Sequence, residues 1–325
     1  MTKNKGIRRN NRLTAEEVGI AITPLEHDVL SFDESFNLFI ADAERRGLRP
    51  DTISYYRQNL GNFRRYLVQI EKTVLISEVL RTDVDNFVEY EQKRGMQNTT
   101  INLRLRAIRA LFGYLVEMKY IAVNPMKKYP LLKIRNGNIE TFSMKQLRHL
   151  LNAPDRRTFT GLRDYTIMLL LLETGLRLSE ISAVQIDDIK LSEGQVFVRH
   201  TKSHMHRYVP IQAKMREQLR RYIKIRGTCE TENLFVTIDG EAMARRSIQR
   251  IVGQYGKQAK IKGVRCSPHT FRHTFAKLSI MNGAGVFELQ KILGHSTMEM
   301  VKTYVNLYSS EVNERHKEFS PLKDL

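Results

Sequence analysis

Residues 121–138, IAVNPMKKYPLLKIRNGN, interrupt the chain more firmly than any other stretch. Pro125 and Pro130 have no main-chain N–H to donate, so neither a regular helix nor a central strand runs through them. The segment holds four basic residues and no acidic one. It reads as an extended interdomain linker able to track a polyanion. A chain of 325 residues is long enough for a domain on either side of it.

The part before it, 27–120, reads as nearly all helix. Ile53, Tyr56, Leu60, Phe63 and Leu67 recur every three or four positions behind Asp51, a candidate helix cap. Ile101, Leu105, Ile108, Phe112 and Leu115 repeat the pattern within Thr99–Tyr120. The opposite face of that helix shows Asn102, Arg106 and Arg109, which suits a phosphate backbone or plain solvent equally. The part after the linker, 139–308, mixes helix and sheet. Ser143 and Gln146 form a capping box, an apolar helix covers Leu162–Glu173, and Gly175 stands where a left-handed residue ends it. Gln195–Thr201 and Tyr208–Ile211 are rich in β-branched and aromatic residues and flank a polar turn, Lys202–Arg207. Further helices are expected from Ala213, after Ala242 and after Pro268. The expected fold class is mainly α: a helical domain, then an α-rich mixed domain with a small antiparallel sheet. Residues 1–26 form a basic tail before it, and 309–325 a tail after it.

Net charge is +18, and its placement matters more than its size. Residues 139–308 carry +12 and residues 121–138 carry +4, against +1 for 27–120. The excess therefore sits on the second domain and the linker, which favours a polyanionic partner. Candidate phosphate contacts are Arg106 and Arg109, Lys127 and Lys128 of the linker, and Arg245 and Arg246, which with Arg250 form one basic face. For that last face a solvated surface is the equal reading. Two cysteines, Cys229 and Cys266, do not make a disulfide framework. Met1–Arg12 is basic and polar, without the apolar core of a signal peptide, and Tyr165–Leu172 is far too short to span a membrane. A soluble, cytoplasmic protein with no membrane partner is expected.

One set of residues carries chemistry. In chain order it is Arg177, Lys202, His269, Arg272, His295 and Tyr304. A phosphodiester resists attack because it is anionic and its leaving alkoxide is poor. Arginine answers the first difficulty, since its planar fork matches phosphate oxygens and stays charged. Arg177 and Arg272 are the two candidate clamps. A tyrosine titrates near ~10 and needs a base or nearby cations to become a nucleophile. His269 is the candidate base, three residues before Arg272 and so on the same helix face. His295 would donate a hydrogen bond to the phosphate, and Lys202 is a mobile ammonium able to protonate a leaving oxygen. No acidic cluster suited to magnesium is evident, and neither metal nor cofactor is expected. His269 and His273 stand four apart as zinc ligands can, but no glutamate separates them and Arg272 opposes a cation. Glu180 either orients a catalytic group or completes the first turn of the next helix.

These motifs resemble those of the tyrosine recombinases, the family of phage integrases and chromosome-dimer resolvases. Thr174–Glu180 (TGLRLSE) is similar to the family's arginine box, His269 and Arg272 within PHTFRHTF to its His-x-x-Arg box, and Leu293–His295 to its Leu-Gly-His box. Tyr304, nine residues after His295, takes the nucleophile's place, with Tyr308 one turn on as its rival. Lys202 matches the family's hairpin lysine; Lys190, placed before the strand, is the alternative. The likeness spans 140–308, and 27–120 is similar to the family's core-binding domain. The resemblance implies a C-clamp of two domains around duplex DNA with specific recombination sites. It also implies a homotetramer on two sites and a 3′-phosphotyrosyl intermediate formed without ATP. An accessory directionality factor is a further candidate partner. A mobile-element integrase or transposase is the leading expectation, from the basic head. A resolvase of chromosome dimers, a type IB topoisomerase and a DNA-binding regulator without chemistry are the alternatives.

Overall fold

The computed structural model describes residues 30–71, 75–134, 139–199 and 206–294. The chain forms two compact units that divide between Asn136 and Gly137. The basic tail 1–26, the tail 309–325, Lys202, His295 and Tyr304 lie outside the described residues.

The first unit is helical, with α1 (Phe32–Arg45), α2 (Pro50–Gln69), α3 (Arg81–Lys93) and α4 (Asn98–Glu117). Ser31 opens α1 with a reciprocal capping box: its hydroxyl accepts from the Glu34 amide at 3.2 Å, and the Glu34 carboxylate accepts from the Ser31 amide at 2.8 Å. Helix α2 begins at Pro50, whose fixed φ suits a first helical position. Asp51 is therefore not the cap expected from sequence. It lies in the first turn, where a carboxylate meets the positive end of the helix, and Arg49 takes the cap position. The apolar stripes meet as their spacing requires: Leu60, Phe63 and Leu67 bury against Ile101, Leu105, Ile108, Phe112 and Leu115. Each such side chain contributes about 1.5–3 kcal/mol when fully buried.

The segment read as an extended interdomain linker is docked on this unit as far as residue 134. Ile121, Met126 and Tyr129 are buried in the helical core, and Leu131 and Leu132 pack beside them. Polar side chains of α4 hold its main chain. Asn102 donates to the Leu132 carbonyl and accepts from the Leu132 amide, both at 2.9 Å. Asn98 donates to the Lys133 carbonyl at 2.9 Å, and Arg109 to the Tyr129 carbonyl at 2.5 Å. Because prolines and positive charge dominate its composition, the sequence reading passed over its apolar residues. Lys127 and Lys128 remain exposed on the docked segment.

The second unit contains α5 (Met144–Asn152), α6 (Phe159–Thr174), α7 (Leu178–Ala183), α8 (Ala213–Arg226), α9 (Arg245–Gln258), α10 (Pro268–Met281) and α11 (Val286–Leu293). Its sheet has three antiparallel strands in the order β1 (Ile189–Lys190), β2 (Gln195–Val198), β3 (Arg207–Pro210). Lys190 stands before β2, as expected, and itself belongs to a further strand, β1, opposite Gln195. Arg207, placed in the turn by its polarity, opens β3 opposite Val198. Apolar α6 is the centre of the unit: Ile167, Met168, Leu170 and Leu171 are buried with Val196, Val209, Leu219 and Phe271 from the surrounding elements.

Candidate active site

The site is built where three turns meet. The first follows α6. Its last residue, Thr174, is succeeded by Gly175 at φ +60°, a left-handed conformation that costs a glycine little. The same position has no room for a side chain. A Cβ on Gly175 would stand 2.5 Å from the Phe275 ring of α10 and 2.9 Å from the Leu293 side chain of α11. Leu176 is then buried, and Arg177 caps α7. The second turn is at the end of α11, where Gly294 adopts φ +63°. The third component is the start of α10, where the Ser267 hydroxyl accepts from the Thr270 amide and Pro268 takes the first position.

These elements bring Arg177, Arg272 and the turn at Leu293–Gly294 together, across 95 residues between the two arginines and 21 between Arg272 and Leu293. Arg272, only 3% exposed, donates to the Gly175 carbonyl at 2.7 Å and to the Leu293 carbonyl at 2.9 Å. Arg177 donates to the same Leu293 carbonyl at 3.2 Å and to the Gly294 carbonyl at 2.9 Å. The last carbonyls of a helix have no partners within it and carry its negative end. Two guanidinium groups satisfy them here. Arg177 retains a quarter of its side-chain surface.

Glu180 both completes the first turn of α7 and bonds the Arg177 guanidinium. Its carboxylate accepts from the Arg177 amide at 2.9 Å, closing the capping box of α7, and from the Arg177 guanidinium at 2.9 Å. It also accepts two parallel bonds from Arg207, each 2.9 Å. Burial alone would raise its pKa; the bonds and charges of Arg207 and Arg177 outweigh this and hold it below the ordinary carboxylate value.

His269 lies on the first turn of α10, one turn before Arg272, and is an exposed residue. Partial desolvation lowers its pKa from the ordinary imidazole value, helped by the positive charges of Arg272 and Arg177. His273 stacks edge to face on it, with ring centroids 4.3 Å apart. Desolvation, then His269 and Arg272, push the His273 pKa down to about 4. Among the described residues no group of three or more His, Cys, Asp or Glu side chains is placed to hold a metal ion.

The candidate phosphate contacts divide. Arg106 is exposed on α4, and Arg245 and Arg246 are exposed at the start of α9. Arg246 and Arg250 line an open cavity of about 500 Å³ with Gln249, Arg265, Cys266 and Ser267. Burial pushes the Cys266 thiol pKa up, away from reactivity. Arg109 is corrected: half-buried, it braces the Tyr129 carbonyl instead of lying on the same open face as Arg106. Arg207 was missed. Its signal was the alternation Arg207, Val209, Ile211, which puts an arginine on the inward face of a strand, where only a paired charge is tolerated.

Arg177 and Arg272 thus meet at one turn of the second unit, with His269 one helical turn before Arg272. The model for the phage integrase family matches residues 140–311, and that for the phage integrase N-terminal SAM-like domain matches 37–119. The first match alone takes in more than half of the chain, and the chain belongs to the phage integrase family, the tyrosine recombinases. Tyrosine recombinase XerC of Thermodesulfovibrio yellowstonii is 28% identical over 288 residues, covering 86% of this chain and 93% of that protein. Among solved structures, a lambda integrase dimer bound to a COC′ core site shares the fold at a TM-score of 0.72 and 16% identity, covering 83% of this chain and 97% of that one. The Tn1549 transposon integrase in complex with transposon right end DNA does so at 0.72 and 19%, covering 88% and 99%. Among the described residues no helix is long and apolar enough to cross a membrane.

Proposed function

We propose that this chain cleaves and rejoins duplex DNA at specific sites through Tyr304. The phenol oxygen attacks phosphorus, a bond to tyrosine forms at the 3′ phosphate, and the bond to the 5′ oxygen breaks. His269 takes the phenol proton and Lys202 gives one to the leaving 5′ oxygen. Arg177 and Arg272, with His295, balance the charge that grows on the non-bridging oxygens. A 5′-hydroxyl from a second duplex then reverses the step, so no external energy source is needed. The observation that carries this reading is the meeting of Arg177 and Arg272 at Leu293, two residues before His295. Electrostatic stabilisation of this kind is commonly the largest catalytic effect.

The proposed division of labour gives residues 27–120 and 139–308 the roles of core-binding and catalytic domains, joined through 121–138. Arg106, Lys127, Lys128, Arg245 and Arg246 would track phosphates, and four copies would act on two sites. The test is a nicked suicide substrate. Wild-type protein should accumulate a covalent adduct that Tyr304→Phe cannot form while still binding DNA. Adduct formation by that variant as fast as wild type would end the reading.

The biological setting proposed is integration or excision of a mobile element, supported by the basic 1–26 head. The XerC relative favours a second reading, resolution of chromosome dimers. A circular excised element detected across the gene's flanks supports the first. Filamentous cells with unresolved chromosomes on gene deletion support the second.

A further inference from the structure

Arg207 has no assigned part in the reaction, yet it bonds Glu180 and Ile292 and packs against Gly294, on either side of the carbonyl where the two clamps converge. Its side chain is only 7% exposed. Both terminal nitrogens donate to the Glu180 carboxylate at 2.9 Å, and its Nε donates to the Ile292 carbonyl at 2.7 Å. Three successive carbonyls at the end of α11 are therefore held by three arginines: Ile292 by Arg207, Leu293 by Arg177 and Arg272, and Gly294 by Arg177. The contact is close. A Cβ on Gly294 would stand 2.8 Å from an Arg207 nitrogen and 3.0 Å from its central carbon, so glycine is needed there for the guanidinium to pack.

A single arginine thus joins three pieces of chain far apart in sequence. Arg207 begins β3, five residues beyond Lys202; Glu180 is on α7 and bonds Arg177; Ile292 is on α11, three residues before His295. With its polar atoms turned inward onto Glu180 and Ile292, it does not present its charge to substrate. We propose that Arg207 is a positioning residue for strand cleavage: by clamping Glu180 to the end of α11, it sets where Arg177 stands relative to Leu293 and Gly294. Bidentate geometry is what the role requires, so a lysine, with one charged point instead of a fork, should not replace it. This inference rests on the recombinase reading and deepens it.

The experiment compares Arg207→Lys and Arg207→Gln with wild type and Tyr304→Phe on a nicked suicide substrate. Binding is followed by fluorescence anisotropy and adduct formation under single turnover at saturating protein, at a temperature where melting curves show each variant folded. Arg207→Lys serves as the milder change if Arg207→Gln does not fold. The expected result is DNA affinity within about 2-fold of wild type and a saturated cleavage rate lower by the order of 100-fold, the scale of a misplaced catalytic group. Addition of methylguanidinium to folded Arg207→Gly should recover part of the lost rate. A saturated rate equal to wild type in folded Arg207→Lys, with only its melting temperature lowered, would overturn the inference and leave Arg207 a structural residue. Loss of binding in step with cleavage would overturn it as well. The parallel Tyr304→Phe lane keeps the two ideas apart, since adduct in that lane counts against the recombinase reading and not against Arg207.

Discussion

Arg177 and Arg272 donate to one and the same oxygen, the Leu293 carbonyl, at 3.2 and 2.9 Å. A main-chain acceptor shared by two fixed cations holds their forks in register. Arg177→Lys and Arg272→Lys keep the charge and lose the fork. Each should lower single-turnover cleavage by about 100-fold or more, roughly 3 kcal/mol, with DNA affinity little changed. Quenched-flow measurement of the covalent adduct, alongside anisotropy, reads both quantities.

Gly175 should tolerate no side chain. Gly175→Ala places a residue with a Cβ at φ +60°, which costs about 1 kcal/mol, and drives that carbon into Phe275 and Leu293. Urea unfolding of the variant should show a loss of about 2–4 kcal/mol, in the range of overpacked cores with added backbone strain. Cleavage should fall beyond the loss of folded protein, because the displaced Leu293 carries the shared carbonyl.

Acid should destabilise the second unit through His273 and His269. Both are held below the ordinary imidazole value of 6.5, His273 at about 4. Above pH 6.5 neither the folded nor the unfolded chain binds these protons, and the contribution to stability is complete. As pH falls from about 6.5 toward 4, the unfolded chain takes up protons that the folded one refuses, so stability declines. His273→Gln should flatten that decline in denaturation curves recorded at several pH values across the window. The same measurement on wild type should show the steepest loss in the middle of that window, where the unfolded imidazole is protonated and the folded one is not.

Salt dependence separates the basic residues. Arg106, Lys127, Lys128, Arg245 and Arg246 are exposed, whereas Arg109 is spent on the Tyr129 carbonyl. Alanine at any of the five that meets a phosphate should reduce the slope of log affinity against log salt by about 0.9, measured between roughly 50 and 200 mM. Arg109→Ala should leave the slope alone and lower the stability of the helical unit by about 1 kcal/mol.

Periodicity made most of the helices readable. The stripe through Leu60, Phe63 and Leu67, the capping box at Ser143 and the stop at Gly175 all sit where local spacing puts them. Two of the ordered boxes likewise led to Arg177 and Arg272, which meet at the Leu293 carbonyl. What could not be read was anything fixed by distant partners. Arg207 looked like a turn residue, since only its encounter with Glu180, 27 positions away, makes a buried charge tolerable there. Arg109 looked like a surface cation for the same reason: its acceptor is a carbonyl 20 residues downstream. Polarity at a position is local, but its satisfaction is not.

The docking of 121–134 has a practical outcome for anyone dissecting the protein. A fragment stopped at residue 120 would strip Met126 and Tyr129 from the apolar faces they cover, and would leave the Asn102 amide facing no Leu132. Such a piece should precipitate or melt early, while one carried through 134 should survive as an independent body. The proline-rich stretch, however loosely it reads on paper, is the clasp that finishes the helical bundle.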